Sequence, residues 1–570
     1  MSVKNWKPLS NILPQDVERL QYKFNLPRPI AVYFAARGIT EEQIPGFLEP
    51  RLANLTDPYR FPRIKDACAR LWQAIADHEP ILIHGDYDTD GITASALLAL
   101  VLRQNGATVN SFIPHRFDDG YGFTPESLEK ALEMFGNCGV LVTVDCGITS
   151  CDAVKVARDK GIDVIVTDHH EAGDELPDAL AVINPKVYPE LEDLQLLSGA
   201  GAAFKLSHAF IKYGREKNLG GFMTRLEEVL DYVALGTVAD IVPLLGENRV
   251  MVKYGIEALR KQLRPGIRAL IESSKLHSEL SPSDITFRLA PRINAAGRVG
   301  DANVALQLLE SESIVDAHYS ASELETYNRT RQEKEQEIYQ DACGQIERGL
   351  AWLSPYSLLV AGRDWHQGVI GIVASRLARD YNRPTIVLTI QGDHAYGSGR
   401  SIANLNLVEV LTKSSHLLER YGGHPMAVGI GLKTENIAAF YEEMDKEIRT
   451  QIDPTELESF ISYDGPADVA DLTADFFTCL EKLSPFGHSN QKPIYRFNDM
   501  RVIRCNPVGN GAHTRGIMQG RNGQIEFIAF NRPVSDFSNR MLDVLATPQL
   551  NKRQPDMPPQ LNIIDYREVY

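Results

Sequence analysis

"VLVTVDCGITSCDAVKVARDKGIDVIVTDHHE", residues 140–171, reads as a strand, a helix and a second strand. VLVTVD (140–145) and DVIVTD (163–168) are short, apolar and rich in β-branched residues, and residues 150–160 between them carry a helical pattern. Two strands joined by a crossover helix run parallel. Both apolar runs stop on an aspartate. In a parallel sheet the carboxyl ends of the strands share one edge, and ligands bind in the crevice beyond it.

The same alternation extends outward. ILIHG (81–85), VNSFIP (109–114) and LAVINP (180–185) are further β-rich runs, with helical stretches at 93–105 and 125–134. This predicts an α/β domain built on a parallel sheet. A mostly helical stretch follows to about residue 310. Residues 316–349 are dense in Glu, Arg, Gln and Lys and free of Pro. As one helix they would span about 50 Å and bridge two domains. A second, smaller α/β module opens at YSLLVAG (356–362), QIDPTE (451–456) reads as a linker, and the short β runs after it predict a small barrel or sandwich. The expected domains are an N-terminal helical segment (1–65, with helices near 15–26 and 40–48), the sheet domain (66–310), the long helix (311–350), the second α/β domain (351–450) and the β domain (455–570).

Composition limits the function classes. The 570 residues are 44% hydrophobic and 24% charged, which is ordinary for a globular chain of several domains. No apolar run reaches the roughly 18 residues of a membrane span. The N-terminus lacks the apolar core of a secretory signal. The seven cysteines form no C-x-x-C pair, which excludes a zinc ribbon and suits a reducing cytoplasm. A net charge of −16 weighs against nucleic acid as a partner unless a basic channel is local.

Part of that negative charge is concentrated. ILIHGDYDTDG (81–91) places Asp86, Asp88 and Asp90 after one strand. Asp145 ends the next, Asp168, His169 and His170 follow a third, and LGTVADIVPLLGENR adds Asp240. A single strand-end aspartate is usually a helix cap. Four such loops on one sheet edge point instead to a cation site. Carboxylates with imidazole and no thiolate suit Mn²⁺ or Mg²⁺, and more than four ligands allow two ions, the usual device for phosphoryl transfer to water.

DYDTDG, VTVDCG, VTDHHE and GTVADIVPL resemble the four signature motifs of the DHH phosphoesterase superfamily. GSGRS (397–401) and YGGHPMAVG (421–429) are similar to its DHHA1 domain, and PHRFDDGYGF (114–123) and APRINAAGR (290–298) resemble the RecJ branch, single-strand-specific DNA exonucleases working 5′ to 3′. The resemblance implies a DHH domain and a DHHA1 domain joined by a long helix, followed by an OB-fold. It implies hydrolysis of single-stranded DNA to nucleoside 5′-monophosphates in DNA repair and recombination. It also implies two ions of Mn²⁺ or Mg²⁺, a cytoplasmic monomer, and a single-strand-binding protein and a helicase as protein partners. The alternatives are a phosphatase or oligonucleotidase of the same superfamily, and a replication scaffold of the same fold without catalysis.

On the same ground, Asp90, Asp145, His169 and Asp240 would hold one ion and Asp88 and Asp145 the other. His84 is either a further ligand or a strand-end histidine facing a carboxylate. Asp86 either ligates or orients a bound water. His170 would contact the scissile phosphate rather than bind metal, Asp168 would lie behind the ligands without touching an ion, and Arg298 would contact the cleaved phosphate. Arg116, Ser398 and Arg400, the last two expected in a glycine-rich loop, would form a 5′-phosphate pocket, with His424 as a further donor. The helix expected at 368–376 would present its N-terminus to a phosphate. In the C-terminal domain, Lys492, Arg496, Arg501, Arg504, Arg515 and Arg521 with Tyr495, Phe497, Phe527 and Phe530 suggest a single-strand groove with stacking platforms. Alternating spacing would send at least half of those aromatics to the core.

Overall fold

The computed structural model describes residues 5–116, 120, 122–221, 224–276, 280–402, 405–550 and 558–569. Asp118, Asp119 and Tyr121 of the DDGYG stretch lie outside them. The chain divides into two compact units, residues 57–240 with 254–459, and residues 1–56 with 241–253 and 460–570.

The larger unit contains a five-stranded parallel sheet in the order Val109–Phe112, Ile81–Gly85, Val140–Val144, Asp163–Thr167, Ala181–Ile183. Ile81–Gly85 and Val140–Val144 are wholly buried. They are therefore continuous apolar runs rather than alternating ones, as both faces of a parallel sheet are covered. The strand order reverses beside Ile81–Gly85, and such a switch point opens a crevice at the carboxyl edge. The helix Thr89–Gln104 starts where the Asp88 carboxylate accepts from the amides of Asp90 (2.9 Å) and Gly91 (3.1 Å). It is buried on nearly every side, and Gly199–Glu216 and Leu230–Ala239 pack against it.

The helix expected at 316–349 runs as Ile314–Glu347, one element of 34 residues. It packs along the helix Ala290–Val299, where Arg292 pairs with Glu325 (2.7 Å). Farther on it meets the helix Gln367–Tyr381: the Arg376 guanidinium lies 3.5 Å from the Tyr339 ring centroid, and Tyr339 donates to Asp380 (2.8 Å). Gln367–Tyr381 is the crossover between the parallel strands Leu358–Arg363 and Thr385–Gln391. His394–Arg400, Ala427–Lys433 and Arg420–His424 extend that sheet antiparallel on one side, and Trp352–Leu353 closes the other. GSGRS is therefore strand rather than loop, up to Arg400. Ser398 and Arg400 are two residues apart, so the pleat puts both on one face.

In the second unit, Tyr495–Val508, His513–Gly520, Gly523–Ala529, Gln560–Glu568 and Met541–Gln549 form a sheet that closes when the first strand pairs with the last. The barrel core is shared with the N-terminal residues Ile30, Tyr33, Phe34, Ile44 and Phe47. Tyr33 donates to Asn490 and Tyr495 to the Pro29 carbonyl (2.8 Å). Asn5–Pro8 pairs with Phe460–Tyr463. Arg249, almost fully buried, donates to the carbonyls of Lys482 (2.6 Å) and Ser484 (3.0 Å). The first 56 residues thus belong to the barrel unit rather than forming a separate segment to residue 65. The reason is the helix Arg28–Ala36, buried on nearly all sides, which needs the barrel to cover it.

Three of the four aromatics take the core positions that their alternating spacing allowed, which leaves no row of stacking platforms. Tyr495, Phe497 and Phe527 are core, because inward positions alternate along barrel strands. Phe530 alone of the four is exposed, at 50%. Three of the basic residues are paired with carboxylates: Arg496 with Asp543, Arg515 with Glu526 and Arg521 with Asp499. Lys492, Arg501 and Arg504 are exposed. Among the described residues, no helix is long and apolar enough to cross a membrane.

Candidate active site

Three adjacent strands of the parallel sheet end on the acidic residues. Neighbouring strands lie about 4.8 Å apart, so Asp86 after Ile81–Gly85, Asp145 after Val140–Val144 and Asp168 after Asp163–Thr167 are brought side by side. Asp145 has a left-handed backbone (φ 60°), and its amide donates to the Thr167 carbonyl (3.0 Å). The turn carries the chain away from the sheet while the carboxylate stays at the edge. Asp90 sits in the first turn of Thr89–Gln104 and accepts from the amides of Gly199 (2.6 Å) and Ala200 (3.0 Å), the N-terminus of a second helix. Asp240 caps the C-terminus of Leu230–Ala239.

These side chains converge in three sets whose ligand atoms lie within 4.8 Å of one another: Asp90, His169 and Asp240; Asp86, Asp88 and Asp145; and Asp145, His169 and His170. His169 Nε2 stands 3.1 Å from Asp145 Oδ1, 3.5 Å from Asp240 Oδ2 and 4.0 Å from Asp90 Oδ2. Two glycines that motif reading did not single out make the approach feasible. A Cβ on Gly199 would strike the Asp145 carboxylate, and one on Gly236 would strike Asp90. The signal for Gly199 lies in the small-residue run SGAGAA (198–203), and Gly236 lies inside the quoted GTVAD.

The electrostatics follow from crowding. Burial, reinforced by the Asp88 charge, pushes Asp86 up to about 8 and Asp90 up to about 7. Burial, with Asp90 and Asp88 nearby, raises Asp240 to about 9. Burial and the charges of Asp90, Asp88 and Asp240 hold Asp145 well above the usual carboxylate range. Burial and the neighbouring His170 lower His169 to about 3, so its imidazole is neutral and offers a lone pair. Asp86 Oδ1, Asp145 Oδ1 and His169 Nε2 are buried and make no hydrogen bond. Orphaned acceptors on three converging groups, all oxygen or nitrogen, fit divalent cations of the Mn²⁺ or Mg²⁺ type.

His170 differs from His169. Burial alone would lower its pKa, but the hydrogen bond from its Nδ1 to Asp168 (2.8 Å) and the Asp168 charge raise it to about 9. Asp168 also accepts from the amides of Ile148 (3.0 Å), His169 (2.7 Å) and His170 (3.0 Å). Despite its burial, these bonds and the His170 charge lower its pKa. Asp168 thus holds the His170 ring through the Nδ1 hydrogen bond. His84 takes part in none of the three sets. Its Nε2 is 3.0 Å from Ser127 Oγ, its Nδ1 faces Cys146 (3.9 Å), and the rings of Phe112 and Phe123 lie against it. Asp86 shares a set with Asp88 and Asp145, and His84 does not.

A second cluster has the opposite charge. Arg298 ends the helix Ala290–Val299 and donates to the Gly368 carbonyl (3.2 Å). Burial first, then Arg116 and Arg400, lower its pKa to about 10. Burial and Arg116 also lower Arg400, which donates to Ser398 Oγ (2.9 Å) and Ser375 Oγ (3.1 Å). Arg116 lies over the Tyr87 ring, 5.1 Å from its centroid. The cations gathered around Arg298 suit an anion between them. The N-terminus of Gln367–Tyr381 adjoins this cluster, since a Cβ at Gly371 would touch Ser398 Oγ at 3.0 Å and Arg400 Nη2 at 3.1 Å. His424 stands beside His170, its ring nearly parallel to that of His170 (16°, centroids 6.2 Å apart).

The chain is similar to known proteins over most of its length. Residues 80–237 match the N-terminal domain of the DHH family, 355–450 the DHHA1 domain and 463–565 the RecJ OB domain. The single-stranded-DNA-specific exonuclease RecJ of Dickeya dadantii is 36% identical over 95% of this chain and 94% of its own length. The protein of the same name from Bacillus subtilis is 34% identical over 90% of this chain, which spans 64% of that longer relative. The crystal structure of RecJ in complex with Mn²⁺ from Thermus thermophilus superposes with a TM-score of 0.83 at 28% identity, over 99% of this chain and 80% of that one.

Proposed function

The chain belongs to the RecJ family of DHH phosphoesterases, and on that premise we propose that it is a metal-dependent, single-strand-specific exodeoxyribonuclease acting from the 5′ end and releasing nucleoside 5′-monophosphates. The observation that carries this is the pairing of the two clusters. Acids with buried, orphaned acceptors and partly exposed arginines meet at Tyr87, whose ring lies under Arg116 and whose neighbours include Asp86, Asp88 and Arg298.

Asp90, His169 and Asp240 would hold one ion and Asp86 and Asp88 the other, with Asp145 within reach of both sets. When bound, Mn²⁺ or Mg²⁺ supplies an activated water and neutralises charge on the phosphate. The protein's own residues do the rest. His170, kept protonated by Asp168, donates to a non-bridging oxygen of the scissile phosphate. Arg298 neutralises the same group. Arg116, Ser398 and Arg400 clasp the 5′-phosphate, which fixes the register of cleavage. Arg501, Arg504, Lys492 and Phe530 on the barrel capture the trailing strand. Neutral His169 needs no proton loss before it ligates. The protein works in the cytoplasm as a monomer, on strands handed over by a helicase or a single-strand-binding protein. A phosphatase of small esters would have no use for the barrel, and a scaffold would have no use for the full ligand set.

The test is degradation of matched single-stranded and duplex oligonucleotides with Mn²⁺, Mg²⁺ or EDTA. Metal-dependent loss of the single strand alone is expected. Equal attack on blunt duplex, or attack in EDTA, would contradict the proposal.

A further inference from the structure

The helix Thr89–Gln104 carries Asp90 in its first turn, with Asp88 as its cap. The first amides of any helix lack partners within it. Here Asp88 Oδ1 takes two of them, those of Asp90 and Gly91. A third, from Thr89, is taken by a side chain 205 residues away: Asn294 Oδ1 accepts from the Thr89 amide at 2.8 Å and from Thr89 Oγ1 at 2.8 Å. Because a backbone amide only donates, the Asn294 atom facing it must be its oxygen. Thr89 is 1% exposed, so water does not offer a substitute partner.

Asn294 lies on Ala290–Val299, four residues before Arg298, so both side chains project from the same face of that helix. We propose that Asn294 is a positioning residue: its amide oxygen fixes the turn bearing Asp88 and Asp90 and ties it to the helix bearing Arg298. The tether acts on the ions through the ligands and on the strand through the distance from ligand turn to arginine. It rests on the assignment of Asp88 and Asp90 as ligands.

The experiment is a Mn²⁺ titration followed by the free-ion electron paramagnetic resonance signal, alongside melting of the metal-free protein. Asn294→Ala should weaken Mn²⁺ binding about tenfold to a hundredfold, as loss of a ligand's supporting partner does. Asn294→Asp keeps the acceptor oxygen and should bind close to wild type. Asn294→Leu fills the volume without an acceptor and stands in for the alanine variant if that one does not fold. Wild-type affinity in Asn294→Ala would overturn the proposal, as would equal loss in Asn294→Asp. Failure of both the Ala and Leu variants to fold would also overturn it, in favour of a purely structural role. Asp90→Ala is the control. If it retains wild-type Mn²⁺ affinity, the ligand assignment fails, and not the tether.

Discussion

At the scale of the residue, the site is a set of acids held where acids resist ionising. Asp86, Asp90 and Asp240 have folded pKa values near 8, 7 and 9, all raised first by burial. In the unfolded chain each titrates near 4. The protonated form therefore favours the folded state. This contribution is full below pH about 4 and drains away as pH rises through 7 to 9. The EDTA-treated protein should melt at progressively lower temperature between pH 5 and 9, and saturating Mn²⁺ should flatten that slope by supplying the missing countercharge. Calorimetry at fixed ionic strength checks this, and a metal-free melting temperature that climbs with pH would contradict it. The convergence of these residues was legible because Asp86 and Asp240 follow apolar runs and Asp90 belongs to the same acidic stretch as Asp86. The placement of His84 was not. Four residues before Asp88 it is in the right stretch, but its ring turns to Ser127 and Cys146, and no spacing rule reports a side chain's direction.

At the scale of the element, two helices and a strand determine how closely the ligands approach. Gly199→Ala adds one methyl group against the Asp145 carboxylate. A displacement of about 1 Å at a catalytic group costs on the order of a hundredfold in rate, so kcat should fall by that order while the far-ultraviolet circular dichroism stays that of the wild type. An unchanged kcat would show that the loop yields. The strand His394–Arg400 was read as a loop because its glycines mask the alternation, and only the register with Thr385–Gln391 and Ala427–Lys433 reveals it. The strand strengthens the case for its two polar residues, since the pleat aims Ser398 and Arg400 together. Arg400→Ala should erase most of the preference for 5′-phosphorylated over 5′-hydroxyl ends. A charged hydrogen bond of this kind is worth about 1.5–3 kcal/mol, roughly tenfold or more in affinity. Competition binding with the two end types measures it, and equal discrimination by variant and wild type would remove Arg400 from the end pocket.

At the scale of the whole molecule, the order of domains was legible because each has its own periodicity: crossover units, then a polar helix, then a second crossover, then short strands. The membership of the first 56 residues was not. Their helices pattern like any others, and nothing local tells that Tyr33 and Phe34 complete a core whose other half lies more than 400 residues on. Cutting the chain after residue 459 would strip that core, so the barrel's role is better tested at its surface. A variant with Phe530→Ala, Arg501→Ala and Arg504→Ala should bind long single strands more weakly. Each lost stacking contact should cost about 1–3 kcal/mol, and each lost phosphate contact should remove about 0.7 from the log–log salt slope. Turnover of very short oligonucleotides, which reach only the two clusters, should persist. Unchanged affinity for the long strand would leave the barrel without a part in strand capture.

The proposed chemistry depends on Asp145 serving two ions at once. Its most direct test is Mn²⁺ stoichiometry by calorimetry in the wild type and in Asp145→Asn, with hydrolysis of a labelled single strand read in parallel. Two ions per chain in the wild type are expected, with weakened binding at both sites and no detectable hydrolysis in the variant. One ion per chain in the wild type, or near-normal turnover by Asp145→Asn, would contradict the account.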